Sequence, residues 1–106
     1  MKNWKNLLLE KNAPIRKAIE VIDSGGAQIA LVVSSELQLL GTITDGDIRR
    51  GLLKGFTLDA SVDSVMNKSP RVLPQGTPKA KAFELMKERL LRQVPIVDSN
   101  GILVGI

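Results

Sequence analysis

The chain repeats itself, and the repeat limits what it can fold into. Sliding the sequence by 64 residues aligns Met1–Thr42 with Val65–Ile106 without a gap, and ten of the 42 pairs are identical. Among them are Pro14/Pro78, Lys17/Lys81, Ala18/Ala82, Glu20/Glu84, Val33/Val97 and Gly41/Gly105. Other pairs keep apolar character, such as Leu8/Val72, Ile19/Phe83, Ile22/Met86 and Val32/Ile96. A fixed period of this length marks two copies of one supersecondary unit, each needing a neighbour to bury its apolar face. We read unit 1 with its connector over residues 1–64, and unit 2 over residues 65–106.

Both units carry the same local signals. A short extended piece opens each, Leu7–Leu9 and Arg71–Leu73. A helix follows in unit 1, with Asn12 as cap, Pro14 in the first turn and Gly25-Gly26 as stop. Ile15, Ala18, Ile19 and Ile22 repeat at helical spacing and give it one apolar face. In unit 2, Thr77 caps, Pro78 opens, and Ala82, Phe83, Met86 and Leu90 form the stripe. Hairpins come next: Ile29–Val33 with Leu39–Ile43, and Val94–Val97 with Ile102–Ile106, rich in β-branched residues. Unit 1 adds a helix over Asp45–Lys54 capped by Thr44, then a connector with a short helix at Ser61–Met66. The expected fold class is α/β (α+β), with two tandem β-α-β-β-α units related by a pseudo-two-fold axis. The second lacks its final helix, and we expect a cut fragment of a longer chain.

Composition narrows the chemistry. Histidine and cysteine are both absent from the 106 residues. No disulfide, thiolate nucleophile, His-based triad or ordinary zinc site can be assembled. Carboxylates remain, but Asp45 and Asp47 are too close in sequence to oppose each other as an acid/base pair. The expectation is a binding module with no catalysis, no metal and no required cofactor. The net charge is +4, yet the basic residues alternate with acids, which reads as solvated surface rather than a nucleic-acid footprint. Leu7–Leu9 is far shorter than a membrane span of about 20 residues or a secretory core of about 7–15. A cytoplasmic protein is expected.

Two stretches carry a family resemblance. Gly41-Thr42-Ile43-Thr44-Asp45-Gly46-Asp47-Ile48 is one; Val65-Met66-Asn67-Lys68-Ser69-Pro70, with Val94-Pro95-Ile96-Val97-Asp98 and Gly101-Ile102-Leu103-Val104-Gly105, is the other. In this order, on this repeat, they resemble a tandem pair of cystathionine-β-synthase (CBS) domains, a Bateman module. The resemblance implies a regulatory module that senses an adenosine-containing ligand (AMP, ADP, ATP or S-adenosylmethionine) in a cleft between the units. The family's Gly-x-x-Thr-x-x-Asp pattern falls on Gly41, Thr44 and Asp47. It implies that Asp47 grips the ribose hydroxyls and that Thr44 faces phosphate.

The residues themselves are compatible with those roles. Thr44 places a hydroxyl beside unpaired N–H groups at a helix start. Gly46 permits close approach to the backbone. Asp47 can accept two hydrogen bonds from a cis-diol. A plain reading stands beside this one: Thr44 and Asp47 as a capping pair that suits the helix dipole. For the base, the family places apolar walls at Ala13, Gln28, Ile29 and Ala30 in unit 1, and at Thr77, Arg92, Gln93 and Val94 in unit 2. Leu31 stands where unit 2 has Pro95.

The start of the chain and Thr44-Asp-Gly-Asp-Ile-Arg-Arg-Gly-Leu further resemble CBS pairs that lead sugar nucleotidyltransferases of the mannose-1-phosphate guanylyltransferase type. That implies an attached catalytic domain beyond residue 106. The competing expectation is a structural module that homodimerises through its helices by faces such as Leu52, Leu53 and Phe56 and holds no ligand.

Overall fold

The computed structural model describes residues 4–89 and 94–106. A 3-10 turn at Trp4–Leu7 leads into β1 (Leu8–Leu9), followed by α1 (Ile15–Gly25), β2 (Ile29–Val33), β3 (Leu39–Thr44) and α2 (Asp45–Leu53). A 3-10 turn at Val62–Ser64 sits in the connector. Unit 2 gives β4 (Leu73–Pro74), α3 (Lys79–Arg89), β5 (Ile96–Val97) and β6 (Leu103–Gly105). The order is the expected β-α-β-β-α then β-α-β-β. Two three-stranded sheets result, β1-β2-β3 and β4-β5-β6, each with one parallel and one antiparallel pairing.

The repeat holds at the level of single hydrogen bonds. Leu9 pairs with Val32 and Leu73 with Ile96, 64 residues on. The antiparallel register slips between Val32 and Val33, and again between Ile96 and Val97. In the first hairpin turn Ser34 Oγ accepts from the Glu36 and Gln38 N–H groups; in the second, Asp98 Oδ1 accepts from those of Asn100 and Ile102. Leu37 and Gly101 occupy the same left-handed position, at φ 64° and 79°. Two different side chains thus build one turn, because each supplies an oxygen acceptor at the same place.

The pseudo-two-fold axis passes between the hairpin turns. Gln38 bridges Ile102, its own repeat equivalent. Leu39 N–H donates to Gly101 O at 3.1 Å, and Leu103 N–H donates to Leu37 O at 2.8 Å. These contacts are related by the 64-residue offset. Leu103 is 2% exposed and joins the core of unit 1, whose centre is β2, buried along its whole length.

Local expectations are corrected at the helix starts. Asn12 does not cap α1; Pro14 holds the cap position and no side chain serves it. The connector does instead: Ala60 O accepts from Ile15 N–H at 2.9 Å and Leu58 O from Arg16 N–H at 3.0 Å. Val62 N–H donates back to Ala13 O at 2.8 Å. The orphan amides of a helix start need acceptors, and backbone carbonyls from across the fold meet that need. Thr77 spends its hydroxyl on Pro74 O at 2.7 Å, and α3 begins at Lys79. The connector helix is a single 3-10 turn. Phe83, expected in the buried stripe, is 68% exposed, whereas Ala82 and Met86 are half-buried. Leu90 lies outside the described residues.

Candidate ligand site

Antiparallel pairing assembles the first corner of the site. Ile29, at the start of β2, lies opposite Thr44, at the end of β3. Gln28 precedes Ile29 in a left-handed conformation (φ 64°), and α2 starts at once after Thr44. The pairing therefore brings Gln28, Ile29, Thr44, Gly46 and Asp47 to one end of sheet 1. Ile29 is 6% exposed, and Ala30 is fully buried, so Ala30 acts there only through strand packing.

Thr44 and Asp47 form a complete capping box. Thr44 N–H donates to Asp47 Oδ2 at 2.9 Å, and Thr44 Oγ1 donates to the same oxygen at 3.0 Å. Asp47 N–H reaches Thr44 Oγ1 at 3.4 Å. The plain reading of this pair is thus realised in the structure. It also has a consequence for chemistry: the box fixes the Asp47 carboxylate, only 16% exposed, with Oδ1 turned away from the cap. Arg50 Nη2 donates to that oxygen at 2.8 Å.

Gly41 and Gly46 serve different ends. A Cβ on Gly41 would lie 2.8 Å from both Asn67 O and Met66 Sδ, so this glycine admits the connector, whose Asn67 exchanges two backbone hydrogen bonds with Thr42. A Cβ on Gly46 would meet the Arg50 guanidinium at 3.1 Å. The Arg50 side chain lies folded back over the first turn of α2.

The remaining expected residues lie elsewhere. Ala13, half-buried, follows β1 and is tied through its carbonyl to Val62. Thr77 and Val94 come together in unit 2, in an apolar cavity of about 300 Å³ whose walls include Leu73, Phe83, Met86 and Ile106. Asp47 is not among its lining residues; it lines a polar cavity of about 210 Å³ with Arg50, Lys54, Phe56 and Ser64. Arg92 and Gln93 lie outside the described residues. The direct grip of Arg50 on Asp47 is a feature that the sequence reading did not assign; the i,i+3 spacing of opposite charges was its signal. Among the described residues no group of three or more Asp or Glu gathers as a metal site, and no helix is long and apolar enough to cross a membrane.

Two copies of one three-stranded unit related by a pseudo-two-fold axis define a class of paired α/β domains. The chain belongs to the CBS domain family, whose model matches residues 4–54 and 62–106. The arabinose 5-phosphate isomerase GutQ of Escherichia coli K12 is 30% identical over 93 residues, covering 88% of this chain and 29% of that protein. This chain spans less than a third of the length of the curated relatives it matches. Among solved structures, Arabidopsis thaliana CBSX2 in complex with AMP superposes with TM-score 0.79 at 24% identity, over 95% of this chain and 80% of that one. A CBS domain protein from Pyrobaculum aerophilum complexed with AMP gives 0.79 at 22%, over 99% and 85%. At such identities the likeness establishes the fold. A CBS pair is a regulatory module rather than a catalytic one.

Proposed function

We propose that this CBS pair senses an adenosine-containing ligand, with AMP first among AMP, ADP, ATP and S-adenosylmethionine, and modulates an attached enzyme. One observation carries the reading: the capping box orients a half-buried carboxylate, Asp47, and uses only one of its oxygens, the other being held by the exposed Arg50. In this reading that second oxygen receives the ribose hydroxyls, and the α2 start with Thr44 and Gly46 faces phosphate. Of the expected base-pocket positions, Gln28 and Ile29 lie beside Thr44 and are the proposed walls for the base, with Ala30 backing them from within the sheet. The AMP bound by two structural relatives supports the ligand class.

The attached enzyme acts on a sugar phosphate. Similarity to an arabinose 5-phosphate isomerase and resemblance to modules of mannose-1-phosphate guanylyltransferase-type enzymes share that substrate class. The full protein's remaining sequence distinguishes isomerase from nucleotidyltransferase. The proposed compartment is the cytoplasm and the proposed assembly a homodimer through helices, supported by Leu53 at 82% and Phe83 at 68% exposure. Leu52, Leu53 and Phe56 are all exposed around the end of α2, and it is a grouping of apolar side chains rather than a single one that marks an interface.

A thermal-shift panel tests the reading. AMP, ADP, ATP and S-adenosylmethionine are each added to the wild type and to Asp47→Ala. The expected result is an upward shift with at least one ligand that Asp47→Ala abolishes. No shift with any ligand would instead favour a purely structural dimerisation module.

A further inference from the structure

Asp47 has a competing partner already in place. Its Oδ2 is used twice by Thr44, and its Oδ1 is taken by Arg50 at 2.8 Å. The two side chains differ sharply in exposure, 16% for Asp47 and 65% for Arg50. The guanidinium therefore reaches inward from solvent to hold a fixed carboxylate. It rests against Gly46, where any side chain would crowd it. A cation over the first turn of a helix sits at the unfavourable end of the dipole. An i,i+3 pair whose cation stands in solvent adds little of its own. The contact is complete in geometry yet easily displaced.

We infer that Arg50 gates the Asp47 site and sets its preference for phosphorylated over neutral nucleosides. The inference rests on Asp47 being the ligand carboxylate. A neutral nucleoside must evict the guanidinium from Oδ1 and leave it to water. A nucleoside phosphate evicts it too, but offers it a new anionic partner, since guanidinium pairs with phosphate as readily as with carboxylate. Arg50 thus penalises adenosine as well as rewarding AMP. A residue that only touched phosphate would reward AMP and leave adenosine unaffected.

That difference is measurable. Adenosine and AMP are titrated into the wild type, Arg50→Gln and Arg50→Lys, with helix content followed by circular dichroism to confirm folding. Arg50→Gln is expected to bind adenosine roughly two- to fivefold more tightly, the range an exposed ion pair accounts for. It is expected to bind AMP about tenfold more weakly, as one charge-assisted hydrogen bond is lost. Arg50→Lys, which keeps the charge but not the planar fork, falls between. If adenosine binds Arg50→Gln no more tightly than the wild type, the gate is wrong and Arg50 is at most a phosphate contact. If the wild type binds neither ligand, the reading of Asp47 fails, and the gate with it. A structure of the AMP complex gives a second check: Arg50 is expected to have left Asp47 Oδ1, and a retained contact would overturn the inference.

Discussion

The two oxygens of Asp47 have different partners, Thr44 on Oδ2 and Arg50 on Oδ1. Oδ2 holds the start of α2 and Oδ1 faces the proposed ligand, so mutations can separate stability from binding. Thr44→Ala removes the cap hydroxyl and is expected to cost about 1 kcal/mol in urea unfolding. Gly46→Ala, at a helical position without positive φ, is expected to stabilise α2 by up to about 1 kcal/mol in the same assay, because the crowded neighbour is only the movable end of Arg50. Gly41→Ala should behave oppositely and cost about 1–3 kcal/mol, since its new methyl meets the Asn67 backbone. Much of this was legible beforehand: Thr44 and Asp47 read as a cap from spacing alone. The different reasons for Gly41 and Gly46 were not, because they depend on a connector and a side chain that return through space.

Among the elements, the strands and α2 were the most readable, since β-branched runs and a capped start are local signals. The start of α1 was misread for the opposite reason. Its acceptors, Leu58 O and Ala60 O, lie more than forty residues away, and carbonyls leave no trace in the sequence. The connector is therefore part of the first unit's stability. Val62 is fully buried at its centre. Val62→Ala is expected to cost about 2–3 kcal/mol, from lost methyl burial plus the cavity left behind. Amide hydrogen exchange at Ile15 and Arg16 should accelerate with it, and unchanged protection there would dissociate the connector from α1. In α3 the expected burial fails at Phe83 alone among the described residues of the stripe. Phe83 has the spacing of a core residue, yet no described element covers it.

At the scale of the whole molecule, two halves with ten identities in 42 share turn, bulge and register. The joint has two parts: the hairpin turns exchange two backbone hydrogen bonds while Leu103 crosses into the core of unit 1, and Asn67 exchanges two more with Thr42. Leu103→Ala is expected to cost about 2–5 kcal/mol and to split unfolding into two transitions by calorimetry. A single unchanged transition would show the halves coupled by other contacts. The central claim is that this joined pair presents one nucleotide site built on Asp47. Isothermal titration of AMP into the wild type and Asp47→Asn tests it most directly. Asparagine keeps the shape and an acceptor for the cap, so folding should persist. The account predicts measurable AMP binding to the wild type and at least about tenfold weaker binding to Asp47→Asn, the loss expected for a charge-assisted hydrogen bond. Equal AMP affinity in the two proteins, or none in the wild type, would contradict it.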